Sequence, residues 1–430
     1  MTESKKLPQG RLGRLARYAG LGVRTGKSLL FSKEDTAIRA AAAHAAEVLG
    51  TMRGLAAKVG QMASYVDGFV PDGHREAYEG ALRTLRANAP TSSPEAIRRV
   101  VEEDLGAPMD SLFAEWETDP FASASIGQVH RATLEDGRRV AVKVQHPGIA
   151  KAVESDLANA GVLSSMVATF GPKNLDPKKV WNEVSARFTE ELDYRLEAER
   201  QRFFIALHAG DPHIHIPEVV ADRSGPRVLT TTLATGETLE EACQSDEPSR
   251  RHIAETLWRF VFKGNLVGGL FNADPHPGNY LFRDDGTITF LDFGCCQPIV
   301  GDRHEAALDM HRAALRGDET AFHEAVVRML ETRGGSFEKR CKSYTRACFE
   351  PLFASPHAIT RPYVKSLVEG IREMKQEVFS KDGSFRPLPP GMVLMNRLQF
   401  GFYSVLARLD VEADYATVER TFLREAGMLK

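Results

Sequence analysis

The sequence lacks the features that would make it a membrane-spanning or disulfide-built protein. Its longest run free of charged residues, 157–172, is 16 residues long and contains Asn, Ser and Thr. That is short of the roughly 20 apolar residues a spanning helix needs. Cysteine is scarce, five in 430 residues. An odd, sparse set behind no recognisable secretory signal argues against a disulfide framework and for a reducing compartment. Net charge is also small, −3, so no global basic field points to nucleic acid as a partner. Repeats are absent, and low complexity is confined to an alanine cluster at 40–43. What remains has the composition of a globular protein of two or three domains. It is expected in the cytoplasm, with peripheral contact as its only access to a membrane.

The first 33 residues hold eight basic residues against one acid, Glu3. Leu12, Leu15, Tyr18 and Leu21 fall between the basic residues in a rough helical rhythm, which suits either a solvated tail or a helix on an anionic membrane surface. Gly26-Lys27-Ser28 imitates the end of a phosphate loop, but Leu21 stands where its first glycine belongs and no strand precedes it. Residues 39–106 read as helical, with Leu49, Met52, Leu55, Val59, Met62 and Val66 on one stripe. The last helix of this prefix starts at Ser93-Pro94-Glu95 and stops near Gly106. Beyond it, 126–144 reads as a hairpin turning at Asp136-Gly137. A helix is expected over 179–207 and a strand pair over 219–232, broken at Ser224-Gly225-Pro226. The rest is mostly helical, apart from a hairpin at 280–291 and a proline-rich turn at 387–390, and ends in amphipathic helices at 400–409 and 415–429.

Three pieces carry chemistry. The first is Val140-Ala141-Val142-Lys143, where the two-residue period of a strand puts Ala141 and Lys143 on one face. A small residue beside a long ammonium suits an adenine ring and its phosphates, as on the third strand of a kinase. The second is the loop Asn272-Ala273-Asp274-Pro275-His276-Pro277-Gly278-Asn279, with an acid and an amide five residues apart, the spacing of a kinase catalytic loop. The third is Asp292-Phe293-Gly294 at a strand end, which fits a magnesium-binding triplet. If Asp285-Gly286 is a two-residue turn, Asn279 faces Asp292 across the strand pair, and two oxygen donors converge as a hard cation requires.

Four segments together resemble the UbiB/AarF-type atypical kinases, the protein-kinase-like family associated with coenzyme Q biosynthesis. These are Lys58-Val59-Gly60-Gln61 (K-x-G-Q), the alanine-rich loop Phe121-Ala122-Ser123-Ala124-Ser125, the Glu191-Leu192-Asp193 pair, and the 273–279 loop. Ser123 interrupts the usual run of alanines, and alanine resists the positive φ that glycine accepts. The resemblance implies an α+β, kinase-like bilobal fold with a helical N-terminal extension and a mostly helical C-lobe. The expected divisions are a basic arm (1–38), the K-x-G-Q extension (39–115), an N-lobe (116–236) and a C-lobe with C-terminal helices (237–430).

The resemblance further implies ATP or ADP with Mg²⁺ as cofactors. Asp274 would be the catalytic acid of the loop and Lys143 the phosphate contact, paired with Glu197. Residues 122–125 and Ala141 would complete the nucleotide site, Asn279 and Asp292 would hold magnesium, and Lys58 with Gln61 would gate the site through the acidic pair Glu191 and Asp193. On one continuous helix Asp193 and Glu197 share a face that Glu191 does not. The implied partners are the nucleotide, a lipid or quinone precursor and an anionic membrane surface. The implied activity is phosphoryl transfer or ATP hydrolysis linked to prenyl-lipid metabolism. Two alternatives are a nucleotide-gated lipid-binding or scaffold pseudokinase and a small-molecule phosphotransferase. No Ala-Pro-Glu follows Asp292, so an ordinary activation segment is not expected. Cys295, Cys296, His304 and His311 match no standard zinc spacing, and His276 is expected to make a structural hydrogen bond.

Overall fold

Helix α1 (Pro94–Leu105) begins where the Ser93 side chain accepts from the Ala96 amide and ends at Gly106, at φ 70°. Both ends follow from the residue types, an Ncap serine ahead of proline and a left-handed glycine. The structure, a computed structural model, describes residues 92–123, 126–158, 185, 189–272, 274–376, 384–385 and 392–429. The basic arm, the K-x-G-Q helix, Ala124, Ser125 and the proline-rich turn lie outside the described residues.

In chain order the elements that bear on the site begin with β1 (Glu115–Trp116), β2 (Ala122–Ser123), β3 (Gly127–Thr133), β4 (Arg139–Gln145), α2 (Tyr194–Leu207), β5 (Ile214–His215) and β6 (Val228–Thr232). Next come α3 (Glu247–Leu266), β7 (Leu270–Asn272), β8 (Tyr280–Phe282), β9 (Ile288–Phe290) and β10 (Cys296–Pro298). Helices follow: α4 (Asp302–Arg316), α5 (Glu319–Leu330), α6 (Gly335–Cys348), α7 (Arg361–Gln376), α8 (Met392–Leu409) and α9 (Tyr415–Glu425). The class is α+β, as expected. The chain forms two compact units, one of residues 1–195 with 220–232, the other of 196–219 with 233–430.

The first unit is an antiparallel sheet, β1-β3-β4-β6, with β2 also on β3. Val140, Val142 and Val144 are fully buried and share a core with Ile97, Val100 and Val101 of α1. Expected strand alternation therefore holds along β4. The pair expected over 219–232 is reduced to a bridge at Val219, with Val220 N donating to Thr230 O at 2.9 Å. Ala221–Arg223 is a single helical turn, and only Val228–Thr232 makes a strand. The Ser224 hydroxyl donates to Val220 O and accepts from Thr230 N, which folds the segment back on itself.

The second unit is built around α3, whose Trp258, Phe260 and Val261 are buried. Trp258 lies against Phe402, Tyr403 and Tyr415, so both C-terminal helices pack on α3. Glu419, fully buried on α9, accepts from Trp258 Nε1 at 2.9 Å and lies 2.8 Å from His311 Nδ1. Among the described residues no helix is long and apolar enough to cross a membrane.

Candidate active site

In the first unit, Lys143 lies between Val129 of β3 and Leu229 of β6. Its Nζ is 5.1 Å from the centre of the Tyr194 ring. Ala141 is on the same half-exposed face, opposite the buried valines. The alanine-rich segment enters as β2, where Ala122 pairs with Val129 and Ser123 with Gln128. Gly127 follows, and a Cβ there would collide with the Val144 carbonyl and come within 2.9 Å of Tyr194 Oη. Glycine is therefore required where the loop re-enters the sheet.

The continuous helix expected over 179–207 is broken. Residues 189–191 are helical, Leu192 and Asp193 are not, and α2 starts afresh at Tyr194. The break is tied to the sheet: Gln145 Nε2 donates to Leu192 O at 2.9 Å, and Tyr194 N to Pro226 O at 2.9 Å. The buried Gln145 is a positioning residue that the sequence reading missed. Because of the break, Glu191, Asp193 and Glu197 do not share one helical wheel. Asp193 accepts from Arg195 N at 3.0 Å and pairs with its guanidinium at 2.8 Å. The Arg195 side chain holds the Asp193 carboxyl below the usual carboxylate range.

In the second unit, Asn272 ends β7, and its side chain ties together the loop and the triplet. Its Oδ1 accepts from Asp274 N at 3.0 Å, and its Nδ2 donates to Asp292 O at 2.6 Å. Asn279 Nδ2 donates to Asp274 O at 3.0 Å, which leaves the amide oxygen as the atom suited to a cation. Asp292 Oδ1 accepts from Gly294 N at 2.9 Å. His276 Nδ1 accepts from Gly278 N at 3.0 Å and caps the turn Pro277–Asn279, the structural bond expected of it. Pro275 packs so closely on α8 that a Cβ at Gly401 would lie 2.6 Å from its ring.

The hairpin register differs from the expected one. Tyr280 pairs with Phe290 and Phe282 with Ile288, and Leu291 N donates to Asn279 O. Asn279 therefore faces Leu291, not Asp292. The turn has three residues, Asp284-Asp285-Gly286: Gly286 N donates to Arg283 O, Arg283 N donates to Thr287 O, and Gly286 sits at φ 80°. This is a type I turn followed by a left-handed residue, which shifts pairing by one position. Asn272, rather than the strand register, links Asp292 to the catalytic loop.

Helix α2 is joined to the triplet within this unit. Arg200 Nη1 donates to Gly294 O at 2.8 Å. Glu197 is only 5% exposed, and its Oε2 would lie 3.4 Å from a Cβ at Gly294. Glu199, the other candidate, is exposed. Phe293 is fully buried against Phe204 of α2, ring centres 5.2 Å apart. Burial raises the Cys296 thiol well above its ordinary range, and its Sγ donates to Phe293 O. His304 Nε2 bonds to Leu266 O, so these groups do not gather around one point.

Asp274, Asn279 and Asp292 supply two carboxylates and an amide oxygen, the hard donors that suit magnesium. Among the described residues no group of three His, Cys, Asp or Glu side chains is placed to hold a metal ion.

Comparison with known proteins gives a consistent picture. The rat atypical kinase COQ8B, mitochondrial, is 30% identical over 333 residues, covering 74% of this chain and 62% of the relative. The yeast atypical kinase COQ8, mitochondrial, is 28% identical over 320 residues, covering 70% of this chain and 62% of the relative. An uncharacterised protein from Synechocystis is 34% identical over 274 residues, 63% of this chain and 40% of the relative. The match thus spans 40 to 62% of these curated relatives. The solved complex of Rv3197 with erythromycin from Mycobacterium tuberculosis is 27% identical, with a TM-score of 0.61 over 87% of this chain and 94% of that one. The model of the ABC1 atypical kinase-like domain matches residues 84–326, more than half of the chain, which therefore belongs to that family.

Proposed function

We propose that the chain is an ATP- and magnesium-dependent atypical kinase or ATPase serving prenyl-lipid metabolism. The observation that carries this reading is the Asn272 bridge, which holds the Asp274 loop and Asp292 as one hydrogen-bonded system. Phosphoryl transfer asks mainly for positioning and charge stabilisation, which a rigid loop supplies. Asp274 orients and deprotonates the attacking hydroxyl or water. Asn279 and Asp292 would hold magnesium, whose bound charge would neutralise the phosphate oxygens. Lys143, partnered by Glu197, contacts the phosphates, Ala141 leaves room for the adenine, and residues 122–125 cover the nucleotide. Lys58 and Gln61, from the K-x-G-Q segment, gate the site through Glu191. The basic arm adds peripheral attachment to anionic membranes, so deleting residues 1–33 should weaken sedimentation with anionic vesicles at low salt.

The test is turnover of labelled ATP with and without magnesium, in the presence and absence of quinone-containing anionic vesicles. Magnesium-dependent turnover that disappears in Asp274→Asn and Asp292→Asn is expected. Unchanged turnover in both variants overturns the assignment. A second reading, nucleotide-gated binding of an apolar ligand without transfer, takes its support from the erythromycin bound to Rv3197. It predicts magnesium-dependent nucleotide binding with no turnover.

A further inference from the structure

The C-terminal ends of α4 and α9 meet at a groove of about 560 Å³. Arg312, Arg316, Arg420 and Arg424 line it, and its apolar part is the half-buried Met428 and Leu429 beside the buried Leu315. No residue of the phosphotransfer site lines it. Two of the arginines have a structural task. Arg312 Nε donates to Met428 O at 2.9 Å, and Arg420 Nη2 donates to Leu315 O at 2.8 Å. Each helix thus supplies an arginine to a carbonyl at the other's end, as expected near helix C-termini.

The other two arginines are not explained that way. Arg316 and Arg424 are exposed, and neither has an ion pair among the described residues. Asp309, which pairs with Arg312 at 3.3 Å, is shared with Arg328 at 2.7 Å. Among the described residues, four guanidinium charges against one shared carboxylate and two helix-end half-charges leave a surplus of about two positive charges.

We propose that this groove binds a phosphorylated amphiphile, with a phosphate or diphosphate between Arg316 and Arg424 and an apolar substituent over Met428 and Leu429. Guanidinium forks match phosphate oxygens in pairs, which lysine cannot do. The volume lies within the range of small-molecule sites. The adjoining apolar surface makes a bare anion an incomplete ligand, because it would leave the half-buried Met428 and Leu429 uncovered. The same headgroup could arrive on a soluble molecule or in a bilayer.

The experiment uses the full chain without nucleotide or magnesium, so its outcome is independent of the kinase reading. The probes are inorganic pyrophosphate, decyl phosphate below its micelle concentration, and phosphatidylcholine vesicles containing phosphatidic acid. Titration calorimetry reads the first two and sedimentation the third. Saturable binding of decyl phosphate, tighter than pyrophosphate, is expected. Each lost guanidinium contact should weaken binding about ten-fold, so Arg316→Gln with Arg424→Gln should lower affinity by about a hundred-fold. The charge-matched control Arg98→Gln with Arg202→Gln should bind as the unaltered chain does. Binding to vesicles alone, lost in the groove variant, assigns the headgroup to a bilayer lipid and supports the site. The proposal fails if no probe saturates, if the groove variant binds normally while folded by circular dichroism, or if pyrophosphate binds as tightly as decyl phosphate.

Discussion

The β3–β4 and β8–β9 hairpins turn on the same three-residue loop, Glu135-Asp136-Gly137 in one and Asp284-Asp285-Gly286 in the other. In both, the aspartate side chain accepts from the amide two residues on, Arg138 in the first and Thr287 in the second. In both, the glycine is left-handed, at φ 83° and 80°. Their use of side chains differs. The first hairpin presents Lys143 and Ala141 from within a seven-residue strand, so the two-residue period alone decides their face. The second has strands of three residues, and Asn279 and Asp292 lie just beyond them. The same turn thus gives a site made within one strand in the first case and a site made by loops hydrogen-bonded beyond the strand ends in the second.

That difference can be tested, most strongly at the two charged residues. Asp292→Asn should abolish the magnesium-dependent part of the thermal shift given by ATP. Lys143→Met should lower ATP affinity and keep the dependence on magnesium. If the two variants behave alike, the division of labour between the hairpins is wrong. Asn272→Ala comes next. It removes both bonds of the bridge, worth about 2 kcal/mol of stability in a denaturant titration, and should lower kcat far more than it raises KM. An unaltered kcat would mean that the bridge positions nothing.

The buried histidines sharpen the comparison further. His130 in β3 has both ring nitrogens engaged, by Gln128 and by Glu117 O. His208 stacks on Phe204 and Phe260, the latter stacked on Phe290 of β9, and among the described residues neither of its nitrogens has a hydrogen-bond partner. Burial lowers the pKa of His208 to about 3, so the folded state keeps it neutral. The unfolded chain takes up that proton below about pH 6.5, so the stability is present above that pH and is lost as pH falls from there toward 3. Between pH 7 and pH 5 the loss should be about 2 kcal/mol, and His208→Phe should remove that part of the pH dependence. If the variant is as acid-sensitive as the parent chain, His208 is not the titrating group.

The smallest effect concerns the turns. Gly137→Ala and Gly286→Ala should each cost about 1–2 kcal/mol, because both glycines have positive φ. A Cβ at position 137 meets nothing within 4 Å, whereas one at 286 comes within 3.3 Å of His252 Nε2. Gly286→Ala should therefore be the more harmful in a thermal melt, and the reverse order would show that the two turns are not equivalent.

Residue order alone determined the ends of α1, the face of Lys143, the order of the three chemical segments and the C-terminal helices. These are local consequences of backbone period, capping and turn chemistry, which act over a few residues. Only the tertiary structure decided the break before Tyr194, the slipped pairing of Asn279 with Leu291, and the bonds of Gln145, Arg200 and Asn272. A helical wheel assumes an unbroken backbone, and Gln145, distant in sequence, supplies the bond that stabilises the break at Leu192. Cross-strand register depends on turn length, and Asp-Gly is compatible with a two- or a three-residue loop. Asn272 carries no charge and opens the catalytic-loop segment without a role that its residue type or spacing announces. It matters because β7 ends where its two amide atoms meet Asp274 N and Asp292 O, 20 residues away along the chain.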